Sequence, residues 1–133
     1  MAAFAVLAFL PPRWPGAVQA AGALVAAAGA ALAGWAARTL GRSLTPFPRP
    51  REDATLVTAG PFAYARHPIY GGGTLFFVGT GLVTSRAATA AAVALAALWW
   101  GKARVEERHL AARFPDYAAY RRRVRSRFLP FVV

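Results

Sequence analysis

Residues 16–37 run for 22 positions without a charge, built largely from Ala, Gly, Leu and Val, with Trp35 near the end and Arg38 closing the run. A helix of that length and polarity suits a bilayer core, which takes about 20 apolar residues. Gly22, Ala26, Gly29, Ala30 and Gly34 set small side chains at helical spacing along it, so a neighbouring helix can approach closely. The rest of the chain keeps the same character. Its hydrophobic share is 57% and its mean hydropathy +0.38, more apolar than the roughly half of a soluble domain. The apolar residues fall in runs separated by arginine-rich segments, and 133 residues leave room for one domain and no second core.

Two further runs follow. In residues 67–84, Pro68 sits in the first turn, where its missing N–H costs nothing. Gly71, Gly72 and Gly73 come next, a costly choice inside a helix unless another backbone or a ligand comes very close. Ser85-Arg86 reads as a tight turn into a third, antiparallel run over 87–100, whose helical pattern continues through Lys102, Arg104, Glu106, Glu107 and Leu110 to Arg113. We read one long helix whose second half rises out of the membrane, with Trp99 and Trp100 at the interface and Lys102 snorkelling. Residues 1–10 are apolar but end at Pro11-Pro12-Arg13. No basic residue precedes them, and the double proline interrupts the path to a cleavage site, which favours a retained short helix or half-span over a signal peptide. The expected fold is all-α: a polytopic membrane protein with three full transmembrane helices and a short N-terminal hydrophobic helix. Residues 1–43 form the N-terminal helices and 44–133 the core of one domain.

The net charge of +11 is carried mostly by arginine. In a soluble protein it would suggest nucleic acid, but here the basic residues cluster at the ends of apolar runs and no reader motif is present. Anionic headgroups and membrane orientation account for them better. Arg38, Arg42, Arg49, Arg51 and Arg66 share one loop, and Lys102 through Arg127 follow the last run, leaving Arg13 and Arg86 opposite. With three spans, the positive-inside rule places the loop over 38–66 and the C-terminus in the cytoplasm. The absence of cysteine excludes disulfides, thiolate metal sites and a cysteine nucleophile, and two histidines at opposite ends of the helices leave no expected metal site.

The residues that carry chemistry gather at that cytoplasmic face. In the connection over 42–59, Pro46, Pro48 and Pro50 deny a helix, and so long a connection tends to be functional. Then comes Gly60-Pro61-Phe62-Ala63-Tyr64-Ala65-Arg66-His67-Pro68-Ile69-Tyr70-Gly71-Gly72, charge and imidazole at a membrane edge. His67 and Tyr70 are three apart and share a helix face, as do Glu106, Leu110 and Phe114 on the emergent helix. A pocket between them would hold cations, paired carboxylates, rings and glycine-exposed backbone, with a floor toward lipid. That suits a ligand with a carboxylate, an ammonium and a ring, acting on an acceptor that lives in the bilayer.

Gly60-Pro61-Phe62, Arg66-His67-Pro68-Ile69-Tyr70-Gly71-Gly72, Glu106-Glu107 with Leu110 and Phe114, and Tyr117, Tyr120 and Arg123-Val124 resemble the isoprenylcysteine carboxyl methyltransferase and phospholipid methyltransferase superfamily. The resemblance covers roughly residues 44–131. It implies an integral membrane enzyme that binds S-adenosylmethionine at the cytoplasmic face and methylates a lipophilic acceptor. By the same resemblance, His67, Pro68, Tyr70, Gly72, Glu106 and Glu107 bind the cofactor, and Arg66 and Arg123 stand at the reacting end as catalytic residues. Two departures bear on this. Pro115 stands where the family commonly has glycine, and Arg125 replaces the usual proline shortly after Arg123. The short N-terminal region implies that acceptor-binding walls are missing or come from a second subunit, as in a homo-oligomer. The alanine- and arginine-rich composition fits a bacterial cytoplasmic membrane. Two other readings stay open: an NADPH-dependent membrane reductase of the sterol-reductase type, whose helix motif differs from Glu106-Glu107 and Phe114-Pro115, and a non-catalytic membrane scaffold.

Overall fold

The structure is a computed structural model and describes residues 13–132; the expected helix over residues 1–10 lies outside them. Four helices make up the described fold: α1 (Gly16–Leu40), α2 (Pro68–Thr84), α3 (Arg86–Arg113) and α4 (Tyr117–Arg123), with 3-10 turns at Gly41–Ser43 and Gly60–Ala63. No strand occurs among the described residues.

The small residues of α1 find their partners on α2. Gly22 lies against Gly79, and Gly29 against Gly72, so the two helices run antiparallel with glycine facing glycine every two turns. A β-carbon on Gly22 would fall 2.7 Å from the Gly79 carbonyl oxygen, and one on Gly72 would fall 2.5 Å from the Ala33 nitrogen. The backbones are in contact, which is how small-residue helix pairs gain van der Waals attraction where lipid offers no hydrophobic drive. The three-glycine cost in α2 is thus offset in part by close approach of another backbone.

Ser85 alone joins α2 to α3. Its extended backbone breaks the helix, and its hydroxyl accepts the Ala88 N–H at 3.1 Å as the N-cap of α3. At that end the Trp14 indole donates to the Thr89 hydroxyl at 2.9 Å, and the Arg86 guanidinium lies 5.1 Å over the Trp14 ring. Arg13 and Arg86 are therefore at the end away from the other basic residues, as the charge pattern implied.

The helix from Gly16 to Ser43 is long and apolar enough to cross a membrane, and among the described residues it alone passes on both counts. α2 has 17 residues, about 26 Å of helix. The apolar part of α3 ends at Trp100 because Lys102 and Arg104 follow. Of three expected full spans, one therefore has full length. The helices turn large apolar side chains outward, among them Leu24 at 75% exposure and Leu98 at 71%. That surface is suited to lipid rather than water.

Beyond Trp100, α3 continues as expected to Arg113 and carries the connection and the tail on its flanks. Lys102 donates to the Pro46 carbonyl at 2.7 Å and Arg113 to that of Glu52 at 3.0 Å, fastening the proline-rich connection along the helix. α4, not foreseen in the basic segment after Pro115, forms because Tyr117, Tyr120 and Val124 fall on one face. They pack with Leu56, Leu110 and Phe114 into a small core beside the half of α3 that follows Trp100.

Candidate active site

A cavity of about 430 Å³ opens between the proline-rich connection, the start of α2, the outer half of α3 and α4. Its walls are mostly apolar, supplied by Leu44, Phe47, Leu56 and Leu110 among others. Arg66, His67, Tyr70, Lys102 and Glu106 reach it from one side. His67 is placed by the break before Pro68, and Tyr70 follows one turn later. Their rings stack 5.7 Å apart, and Tyr70 stacks in turn on Trp99 at 5.6 Å. The Tyr70 hydroxyl donates to Glu106 Oε1 at 2.5 Å, and Lys102 Nζ lies 3.8 Å from the same oxygen and 5.3 Å from the Tyr70 ring centre.

Behind this wall lies a buried ion cluster centred on Glu107, which is 5% exposed. Arg66 Nε donates to Glu107 Oε1 at 2.9 Å, and Arg127 reaches both carboxylate oxygens at 3.2 and 3.3 Å. His67 lies between the two carboxylates, Nδ1 3.5 Å from Glu106 and Nε2 3.3 Å from Glu107. Burial alone would raise the Glu107 carboxyl, but the close approach of His67, the hydrogen bonds from Arg66 and Arg127 and the Arg66 charge outweigh it and hold it down to about 2. A charge cluster this dry costs desolvation, which the pairing of Glu107 with two arginines offsets; His67 Nε2, buried beside it, has no hydrogen-bond partner among the described residues.

The cluster also anchors the C-terminal segment. Arg66 Nη1 donates to the Val124 and Arg125 carbonyls at 2.7 Å each, and the backbone N–H groups of Arg66 and His67 donate to Ser126 and Arg127. The chain after α4 thus lies extended against residues 66–67. Phe128 then packs on Tyr70 and Trp100. Gly71 is crossed so closely by the Phe128 carbonyl that a β-carbon there would overlap it.

Among the eight residues singled out from sequence, Arg66, His67, Tyr70 and Glu106 line the cavity and Glu107 stands directly behind them. Pro68 opens α2 beneath them and is fully buried. Gly72 faces Gly29 and Ala33 of α1 instead of the cavity. Arg123 is exposed on the outer side of α4, its guanidinium 5.9 Å over the Tyr120 ring. The second arginine of the cluster is Arg127, four residues on.

Three participants were missed or assigned elsewhere. Lys102 was read as a snorkelling anchor, although it stands one turn before Glu106. Arg127 belongs to a stretch whose burial alternates (Val124 in, Arg125 out, Ser126 in), the period of extended chain. Tyr117 enters the sequence reading only through the resemblance, with no role of its own. It lines the cavity and is 1% exposed, yet among the described residues its hydroxyl has no hydrogen-bond partner. The Tyr120 hydroxyl instead donates to the Phe62 carbonyl at 2.7 Å. Burial, and less strongly the Glu107 charge, push the Tyr117 phenol well above its ordinary range; burial likewise pushes Tyr120 up to about 12. Both are proton donors at neutral pH.

Comparison with known proteins places these features. The chain is 40% identical over 80 residues to the cobalt-zinc-cadmium resistance protein CzcN of Cupriavidus metallidurans, covering 59% of this chain and 37% of that one. It is 39% identical over 80 residues to the nickel-cobalt-cadmium resistance protein NccN of Alcaligenes xylosoxydans xylosoxydans, covering 59% and 38%. Among the described residues, no three His, Cys, Asp or Glu side chains are grouped to hold a metal ion. The solved structure of the eukaryotic intramembrane Ras methyltransferase ICMT, an isoprenylcysteine carboxyl methyltransferase, superposes with a TM-score of 0.75 at 26% identity, over 86% of this chain and 43% of that one. The chain thus spans less than half the length of the proteins it matches. The model of the phospholipid methyltransferase family matches residues 18–117, from α1 through the cavity to Tyr117. This chain belongs to the phospholipid methyltransferase family, a family of membrane methyltransferases.

Proposed function

We propose that the protein is an integral membrane methyltransferase that uses S-adenosylmethionine to methylate a lipophilic acceptor. The observation that carries this reading is the cavity, where Glu106, Lys102, His67 and Arg66 meet at one end of an otherwise apolar chamber beside the membrane segment. Its volume is in the range of small-molecule sites. The cofactor joins an ammonium, a carboxylate and a purine nucleoside, and the lining offers a group for each. Glu106 would take the ammonium or a ribose hydroxyl, Lys102 and His67 would take the carboxylate, and the apolar walls would take the ring. When bound, S-adenosylmethionine supplies a methyl group already activated on a sulfonium.

The protein's task is then to align the partners and keep the site dry, and it needs no covalent nucleophile. Arg66 lines the cavity with Nε and Nη1 already given to protein acceptors, so its part is fixed positive charge and positioning of Glu107 and the tail. Tyr70, stacked between His67 and Trp99, gives its hydroxyl to Glu106 and so holds that carboxylate in place at the cavity wall. Arg123 reaches the acceptor only if it turns in from the surface. We propose further that α2 and the apolar part of α3 also cross the bilayer, despite their shorter spans, with the cavity and the C-terminus in the cytoplasm.

Titration of the purified protein with S-adenosylmethionine and its demethylated product tests this reading. Saturable binding of both, with none of NADPH, is expected; no saturable binding of either, or saturable binding of NADPH instead, overturns it. A reporter fused after Val133 should score cytoplasmic, and a signal from the opposite side would invert the topology. A methyl-donor assay on a membrane lipid extract, read by mass spectrometry, would identify the acceptor class.

A further inference from the structure

The chain after α4 comes back to the membrane edge. Phe128 packs on Tyr70 and on Trp100, where the apolar part of α3 ends, and Leu129 lies against Gly71 in the first turns of α2. From there the segment turns outward. The Val132 N–H donates to the Leu129 carbonyl at 3.2 Å, and Phe131, third in that four-residue turn, has a φ of 65°. Such a position favours glycine, and among the described residues no other non-glycine has positive φ. Phe131 is also 91% exposed and Val132 58%. Facing water, one residue would bear both a left-handed backbone and an uncovered ring. At the level of Trp100, a ring turned outward meets lipid.

The charge around the tail selects the kind of lipid. Residues 117–133 hold five arginines and no Asp or Glu. Arg127 is engaged by Glu107 and the Trp100 ring. Arg121, Arg122 and Arg125 are exposed, and none of them enters an ion pair among the described residues. We infer that the segment after α4 is a docking surface for anionic phospholipid. Phe131 and Val132 enter the bilayer at the headgroup boundary, and the three exposed arginines bind the phosphates around them. The same stretch of backbone holds the cavity wall, since the N–H groups of Arg66 and His67 donate to the Ser126 and Arg127 carbonyls. Seating the tail on lipid therefore steadies the side of the cavity that carries Arg66 and His67. The inference rests on the membrane reading above.

The chain has no cysteine, so single cysteines carrying a nitroxide can report depth in reconstituted vesicles. Val132→Cys marks the tail, Leu24→Cys the exposed face of α1, and Ala112→Cys the exposed outer end of α3. Access of oxygen reads lipid, and access of a water-soluble nickel chelate reads water. In vesicles of phosphatidylglycerol and phosphatidylcholine in equal parts, the Leu24 and Val132 labels should be open to oxygen and shielded from the chelate, and the Ala112 label the reverse. In phosphatidylcholine alone, the Val132 label should become open to the chelate while Leu24 stays in lipid. Phe131→Ser, or Arg121→Gln with Arg122→Gln and Arg125→Gln, should produce the same loss of shielding in the anionic vesicles. A Val132 label as open to the chelate as Ala112 in anionic vesicles, or one whose depth ignores lipid charge, overturns the inference. So does a label shielded from both probes, which would mark a contact with a second copy of the chain. In each case a lipid-immersed Leu24 leaves the membrane reading standing. A Leu24 label open to water overturns that reading, and the inference with it.

Discussion

Tyr70 and Gly72 are two residues apart on α2 but face different regions, built on different physical terms. Gly72 faces α1, where contact is made by the absence of side chains and nothing ionises. Tyr70 faces the cavity, where Glu106, Lys102 and His67 surround it and Glu107 stands behind. The first region is specified by size and has no room to adjust. The second is specified by charge pairing around a space, and its cost lies in desolvating ions. The contrast shows where each region breaks: the helix pair fails on added volume, the cavity end on lost charge.

The largest effect is expected from Gly72→Leu. The side chain would meet Ala33 and the Gly29 backbone, and overpacking against backbone should cost about 3 kcal/mol or more, read as loss of monodisperse protein in detergent. If Gly72→Leu folds normally, the contact is not the fixed element described here. Next comes Glu107→Gln, which leaves Arg66, His67 and Arg127 around a neutral amide. Breaking such a buried cluster should cost about 3–5 kcal/mol in denaturant unfolding.

The same carboxylate predicts a pH dependence. Its folded-state value of about 2 lies below the ordinary 4.5, so its stabilisation is fully present above pH 4.5 and is lost as pH falls toward 2, on the order of 3 kcal/mol in all. Acid unfolding of the native protein should show this loss, and Glu107→Gln should not. Glu106→Gln sharpens the contrast from the other side. The amide keeps an acceptor for Tyr70, so stability should change by less than about 1 kcal/mol, while affinity for S-adenosylmethionine should fall at least tenfold. The smallest effect belongs to Arg123→Ala, whose exposed position predicts a stability change within about 0.5 kcal/mol; Arg127→Ala should cost clearly more. Equal losses in the two would place Arg123 in the buried cluster after all.

Much of this molecule was legible in the chain because membrane helices are written in long patterns. The boundaries of α1, α2 and α3 follow uncharged runs, Pro68 and Ser85, and the small residues of α1 announced a close partner. Gly72 was ambiguous for a physical reason: glycine marks close approach without saying whether backbone or ligand approaches. Glu106 and Glu107 read as a pair, yet consecutive helix positions point about 100° apart, so one lines the cavity and the other is enclosed by arginines. Arg123 and Arg127 illustrate the reverse. Local sequence does not reveal where α4 stops and extended chain begins, and that boundary decides which arginine turns inward.

By itself, then, the sequence determined the helical class, the apolar segments, the end at which charge collects and the family. Each depends on composition and local periodicity, which neighbours along the chain carry. Only the tertiary structure decided that Gly72 meets Gly29, that Arg66 and Arg127 share Glu107, and that the Tyr117 hydroxyl is enclosed without a partner. These depend on which surfaces meet across 20 to 60 residues of chain, where the folded backbone sets the distances and burial decides whether a charge or a hydroxyl must find a partner.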